Sequence, residues 1–292
     1  TDYGSVDNYI FLKKNRDNFG LNKDVVLFPN IELRVSGITS SKSTKESGGT
    51  HHVNLHIILS DKVEVTKMEK LLREIVDEKD NGVKINIKDD YNDFVEQNKF
   101  NRVPTFNNVI EALKNTFGNT NDMNYLLMTP NSNDGINISK EGTGIKNNID
   151  AFKKIDIIQS SNEKDGIFFL SEEILKETGK NYPCIHASDA HELDHVCEPQ
   201  SENKPNKKYT WIKADTTFEG LISITYEPET RVKIQENMPE KKLSSKIIDF
   251  IQLNEELGNS KIYLNQNLNT VIGGRSSGKS LLLSFIAKKL DS

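Results

Sequence analysis

Thr270-Val271-Ile272-Gly273-Gly274-Arg275-Ser276-Ser277-Gly278-Lys279-Ser280-Leu281-Leu282-Leu283 is the stretch that says most about fold. It carries the spacing G-x-x-x-x-G-K-[ST], directly after a strand-like apolar run and directly before a helix read as Leu281 to Leu290. The glycines let backbone N–H groups curl around phosphate oxygens at a helix N-terminus. Lys279 then reaches the β and γ phosphates, and Ser280 offers a hydroxyl to Mg²⁺. The nucleotide-binding set is therefore Gly273, Gly274, Arg275, Ser276, Ser277, Gly278, Lys279 and Ser280, with ATP and Mg²⁺ as implied cofactors. Arg275 stands out because only 6 of the 38 basic residues are Arg, so bidentate phosphate clamps are scarce. The competing reading is a Gly/Ser turn that matches by chance. Strand, loop and helix all in place argue against it.

Binding is not hydrolysis. Turnover needs an acidic strand end for Mg²⁺ and a residue that positions water. The few residues after Lys279 hold neither, so catalysis is expected to use sequence beyond Ser292 and a second subunit. Likewise Thr1-Asp2-Tyr3-Gly4 reads as the loop after a strand, so the chain is read as a segment of a longer protein.

Working outward, the 292 residues carry 38 Lys+Arg against 43 Asp+Glu, a net charge of −5. Mean hydropathy is −0.59. That balance describes a soluble globular protein and argues against wholesale coating of nucleic acid, while leaving room for a local basic groove. No run approaches the roughly 18–20 apolar residues of a membrane span, and no signal pattern opens the chain. Cys184 and Cys197 are too few for a disulfide framework, which points to the cytoplasm.

The remaining pattern alternates strands with helices. Val25 to Phe28, Ile31 to Val35 and Val53 to Leu59 are short apolar runs, separated by a Ser/Lys/Gly-rich surface loop at 40–50. Met68, Leu71, Leu72, Ile75 and Val76 recur at helical spacing, and Val83 to Ile87 alternates like a strand. Phe106, Val109, Ile110, Leu113 and Phe117 make a second helix stopped by Gly118. Tyr125 to Met128, Ile155 to Ile158 and Pro183 to Ala187 are further strands, with a helix from Ser171 to Gly179 between the last two. Thr216 and Glu219 fit a capping box. Such alternation predicts an α/β fold with a mainly parallel sheet or barrel, whose chemistry gathers at the carboxyl ends of the strands. Past Glu227-Pro228 the polar stretch reads as a linker. A helix with Ile247, Ile248 and Ile251, then strands Lys261 to Leu264 and Leu268 to Ile272, open a second domain.

All six histidines fall in two stretches: His51, His52 and His56, then His186, His191 and His195. In Ile185-His186-Ala187-Ser188-Asp189-Ala190-His191, Asp189 and His191 project from a strand's carboxyl end. A hard oxygen with an imidazole suits Zn²⁺, Mn²⁺ or Fe. Glu32 and His56 sit on other strands of the same alternation. His51 and His52 read instead as loop residues, and His186 as a strand histidine with an ordinary partner.

The order of a lone Glu32, a strand His56 and a late Ser188-Asp189-Ala190-His191 resembles the PHP phosphoesterase domain. The tail Tyr209-Thr210-Trp211-Ile212-Lys213-Ala214-Asp215, then Phe218-Glu219-Gly220-Leu221 and Tyr226-Glu227-Pro228-Glu229-Thr230-Arg231-Val232, resembles the TrlF-like family, in which a PHP domain precedes an SMC-like ATPase. Leu264-Asn265-Gln266-Asn267-Leu268-Asn269-Thr270-Val271-Ile272-Gly273-Gly274 is similar to the opening of SMC-like and ABC-type ATPase heads. The resemblance implies a PHP-like distorted (β/α)7 barrel over 1–231, a linker at 232–243 and the beginning of a P-loop NTPase domain at 244–292. It implies metal ligands Glu32, His56, Asp189 and His191, with Asp189 and His191 also catalytic in phosphoester hydrolysis by a metal-activated water. It further implies a nucleic-acid substrate, in repair or phage defence, and a homodimer through ATPase heads that sandwich ATP. Three departures stand against full activity. The family's first His-x-His would lie before Thr1, its Thr-Asp-His appears as Thr1-Asp2-Tyr3, and no His follows Met128-Thr129-Pro130-Asn131. Losing imidazoles empties at least one metal position, so the alternative is a non-catalytic PHP scaffold on an ATP-driven sensor or clamp of nucleic acid.

Two other metal readings compete. His191-Glu192-Leu193-Asp194-His195 matches the H-E-x-x-H zinc-protease pattern, which needs both histidines on one face of a sustained helix; Pro199 and a polar loop follow too soon. Cys184, His186, His191, His195 and Cys197 could form a structural zinc site, at a spacing that matches no finger.

Overall fold

Strand β1 (Asp2–Tyr3) begins a mixed sheet, followed by β2 (Asn30–Val35) and β3 (Val53–Leu59). A small side hairpin comes next, β4 (Val76–Glu78) with β5 (Lys84–Asn86). Strands β6 (Tyr125–Pro130), β7 (Ile157–Gln159) and β8 (Cys184–Ile185) complete the sheet in the order β1-β2-β3-β6-β7-β8. Only β3 runs against its neighbours, and the other five strands share one direction. The computed structural model describes residues 2–38, 52–78, 84–87, 103–118, 124–131, 135–136, 145–160, 162–186, 208–239, 247–253, 260–265 and 268–290. The chain divides into two compact units, Thr1–Met238 and Pro239–Ser292.

In the first unit, alternation sorts the sheet into two faces. Ile31, Leu33 and Val35 of β2 pair across to Ile57, Leu55 and Val53 of β3, and all are fully or almost fully buried. This face packs on helices Val65–Glu74, through Met68, Leu71 and Leu72, and Phe106–Phe117, through Val109 and Leu113. Thr105 caps the second of these helices, its hydroxyl accepting from Asn108 N at 3.1 Å, and Gly118 ends it at a φ of 91°. An aromatic group under β7 and β8 extends the core. Phe152 stacks on Phe169 at 5.7 Å and meets Tyr182 edge-on, while the Tyr182 hydroxyl donates to Phe152 O at 3.0 Å. Asp156 ties β6 to this group: its carboxylate accepts from Leu127 N at 2.9 Å and lies 3.4 Å from Lys180 Nζ. Each fully buried Leu, Ile or Phe contributes roughly 1.5–3 kcal/mol of hydrophobic transfer.

The opposite face is apolar at one end, where Ile58, Leu126, Met128 and Ile157 pack against Phe218, Ile222 and Ile224. Phe28 joins them edge-on to Phe218 at 5.4 Å. Beside β8 lies a two-stranded antiparallel sheet, β9 (Tyr209–Ile212) with β10 (Val232–Gln235).

Several expectations shift. Asp2–Tyr3 is a strand parallel to β2, because Tyr3 pairs with Glu32 and Gly4, at a φ of 56°, bonds its N–H to Glu32 O at 3.0 Å. Val25 to Phe28 joins no ladder; Pro29 follows, and the chain there turns back through Val25 N to Asn22 O. Helix Phe218–Ser223 is capped by Thr217, whose hydroxyl accepts from Gly220 N, while Glu219 pairs with Lys62 at 2.5 Å instead of closing a capping box with Thr216. Residues 232–235, expected in the linker, form β10, because Val232 and Ile234 pack against the core clusters.

Phe250–Gln252 is strand β11, antiparallel to β12 (Lys261–Tyr263), where a helix was expected; the cross-strand pairs Phe250–Tyr263 and Ile251–Ile262 override a weak helical spacing. Residues 268–272, expected as a strand, join no ladder among the described residues. Helix Lys279–Leu290 follows the glycine loop and has no buried residue. Among the described residues no helix is long and apolar enough to cross a membrane.

Candidate functional site

Two regions carry chemistry, one in each unit. The glycine loop at 273–280 gets its shape from two residues with positive φ, Ser276 at 63° and Gly278 at 85°. A Cβ on Gly273 would lie 2.5 Å from Ser277 Oγ and 3.2 Å from Ser277 Cβ, so a larger residue there would make that hydroxyl turn aside. Lys279 folds back over the loop and donates to Gly273 O and Gly274 O, both at 2.7 Å, with Ser277 Oγ at 3.5 Å. The carbonyls hold the ammonium over the concavity, where a phosphate oxygen could exchange for them. The helix begins at Lys279 itself, its first bond being Leu282 N to Gly278 O at 2.9 Å. Its N-terminal N–H groups and Lys279 thus share one small volume, the arrangement an anionic phosphate favours.

In the first unit, strand register builds a row across one face of the sheet: Tyr3 opposite Glu32, Glu32 opposite His56, and His56 opposite Met128. Asn30 and Arg34 share this face, two residues either side of Glu32, and Asn54 lies opposite Arg34. His56 is 6% exposed. Burial holds its pKa below the ordinary 6.5; Glu32 pulls upward, and Arg34 adds to the lowering. The imidazole is therefore neutral at pH 7, the state a metal ligand needs. Asn30 Nδ2 lies 3.3 Å from His56 Nδ1 and orients the ring. With the amide turned over, Asn30 Oδ1 would accept from Nδ1–H and leave the Nε2 lone pair for a ligand.

Tyr3 departs from a metal-binding pattern. Burial, then its hydrogen bond and charge repulsion with Glu32, push the phenol up to about 12, with Arg34 opposing. It stays protonated beside the Glu32 carboxylate.

Of the residues expected at the site, Glu32 and His56 are neighbours, and Gly273 through Ser280 are contiguous. Asp189, His191, Glu192, His195 and Cys197 lie outside the described residues, as do His51 and the loop expected at 40–50. Among the described residues no three His, Cys, Asp or Glu side chains group so as to hold a metal ion. His186 exchanges two backbone bonds with the Thr210 hydroxyl, at 2.8 and 3.0 Å, and burial lowers its pKa, with Lys208 adding to the effect. Burial, helped by Asp165, drives the Cys184 thiol up to about 12, so it is no thiolate nucleophile. Sequence reasoning passed over Asn30 and Arg34; the period of two around Glu32 was the signal that marks them.

The arrangement offers a phosphate cradle in one unit and a half-buried carboxylate–imidazole pair in the other. Comparison of the chain with protein-family models, with curated proteins and with solved structures finds no match in any of the three.

Proposed function

We propose that this chain binds ATP with Mg²⁺ through the loop 273–280, and that residues 1–231 are a PHP-type phosphoesterase domain, a distorted (β/α)7 barrel, acting on nucleic acid under ATP control. The observation that carries the reading is the Lys279 ammonium, held by the Gly273 and Gly274 carbonyls at the mouth of a loop whose backbone turns on Ser276 and Gly278. Such a lysine exchanges carbonyl partners for β and γ phosphate oxygens, and Ser280 supplies the hydroxyl for Mg²⁺. In the first unit Glu32 and His56, with Asp189 and His191, would hold Mn²⁺, Zn²⁺ or Fe. Bound there, such an ion supplies Lewis acidity toward a phosphoester. Glu32 contributes an anionic oxygen, and His56 a neutral imidazole oriented by Asn30. A homodimer through ATPase heads completes the proposal.

A second reading, a PHP scaffold that senses or clamps nucleic acid without cutting it, is favoured by Tyr3. It stands opposite Glu32 in register, a protonated phenol beside that carboxylate where the family's pattern has a ligand imidazole. Metal content of protein purified without added metal, beside an Asp189→Asn, His191→Ala double variant, separates the two. Near-stoichiometric Mn, Fe or Zn that disappears in the variant supports the phosphoesterase. No metal in either protein, after a metal-soaked control, leaves the scaffold.

A further inference from the structure

The β9–β10 ribbon has two unlike faces. Thr210, Val232 and Ile234 alternate onto the inner one, where Val232 and Ile234 pack against the core and Thr210 bonds to His186 at the carboxyl end of β8, while Ile212 at the strand end is 40% exposed. The outer face carries the cross-strand pairs Tyr209–Gln235 and Trp211–Lys233. Lys213 follows on the same face, its N–H bonded to Arg231 O at 2.8 Å. Tyr209 is 41% exposed. Tyr209 and Trp211 meet edge-on at 6.4 Å, and the indole N–H donates to Gln235 O at 3.0 Å, which fixes the ring. Lys213 and Lys233 are exposed, and among the described residues neither enters an ion pair. Arg231 is paired with Glu227 at 2.8 Å and Lys208 with Glu163 at 3.2 Å; Asp215, Glu229 and Glu236 flank the ribbon ends.

We propose that this outer face is a docking surface for single-stranded nucleic acid. Every base offers a flat π face that a fixed indole or phenol can stack on, and the lysines beside the rings neutralise the phosphates between the bases. In a chain of net charge −5, Lys213 and Lys233 stand beside the single tryptophan and, among the described residues, outside any ion pair, while Asp215, Glu229 and Glu236 lie at the ribbon ends and not on this face. An apolar protein partner would find Lys213 and Lys233 in the middle of its interface, at a desolvation cost. The proposal shares with the proposed function only the premise that the chain meets nucleic acid; no metal, nucleotide or cleavage step enters it.

Because Trp211 is the only tryptophan, its emission reports on this face alone. The test titrates the chain, in EDTA and without ATP, with an oligothymidylate of about 15 nucleotides. The expected result is saturable quenching that weakens as salt rises. Fluorescence anisotropy of labelled oligonucleotide should show about tenfold weaker binding for Trp211→Ala and for Lys233→Glu, and binding within about threefold of the parent for Trp211→Phe. Lys233 is exposed, so that variant carries the test if Trp211→Ala does not fold. Three results would overturn the proposal: no quenching at low salt, equal binding of a duplex or of polyglutamate, or unchanged affinity in both Lys233→Glu and a folded Trp211→Ala. A chain that binds oligothymidylate but cleaves no substrate leaves this surface standing and removes the phosphoesterase reading. Cleavage with variants that bind unchanged does the reverse.

Discussion

The glycine loop and the Tyr3–Glu32–His56 row are built by opposite means. Each bond that holds Lys279 joins it to a residue at most six positions away, so the loop's shape follows from local backbone choices. The row instead joins residues from strands widely separated in sequence, and His56 at its centre is 6% exposed. A glycine loop of this kind can therefore take its shape from contiguous residues. A carboxylate–imidazole pair exists only where strand register is enforced by a buried face.

That contrast can be broken most forcefully from the core. Leu113 is fully buried between the sheet and helix Val65–Glu74, so Leu113→Ala should cost roughly 2–5 kcal/mol of stability in the first unit, read as a lower urea midpoint. Nucleotide affinity of the folded variant should stay within a factor of two or so of the parent; a large fall would show that the loop depends on distant packing after all. Next in size, Lys279→Ala should weaken binding of a fluorescent ATP analogue by about 100-fold, near 2.7 kcal/mol, with the urea midpoint unchanged. Retained affinity would remove the ammonium from the site.

A pH measurement sharpens the other side. The folded pKa of His56 lies below 6.5, so as acid is added the unfolded chain takes up a proton that the folded chain refuses. Stability is then complete above 6.5 and falls as pH drops toward the folded pKa, by at most about 1.4 kcal/mol per unit. His56→Gln should flatten that portion of a pH–stability curve, and an unaltered curve would place the acid sensitivity elsewhere. The smallest effect is expected from Gly278→Ala. A Cβ there meets no neighbour within 4 Å but must adopt a φ of +85°, a cost of roughly 1 kcal/mol that should appear as a few-fold loss of nucleotide affinity.

Much of this was legible from residue order. Helices Phe106–Phe117 and Glu172–Thr178 follow the expected spacing, and their glycine stops at Gly118 and Gly179 both have positive φ. The spans 31–35 and 53–59 likewise fall in strands. What misled were weak local signals. Val25 to Phe28 looks like a strand but runs into Pro29, while Ile247, Ile248 and Ile251 suggested a helix that β-pairing with 261–263 overrides.

The sequence by itself determined the glycine loop, because its shape rests on glycine freedom, one lysine and a helix start, all contiguous. It also determined the α/β class, since periodicity is a local property. Only the tertiary structure decided that Tyr3 lies against Glu32, that Arg34 and Asn30 share the face of His56, and that Trp211 and Lys233 turn outward together. Those are facts of strand register, and a slip of one residue would carry every one of these side chains to the other face.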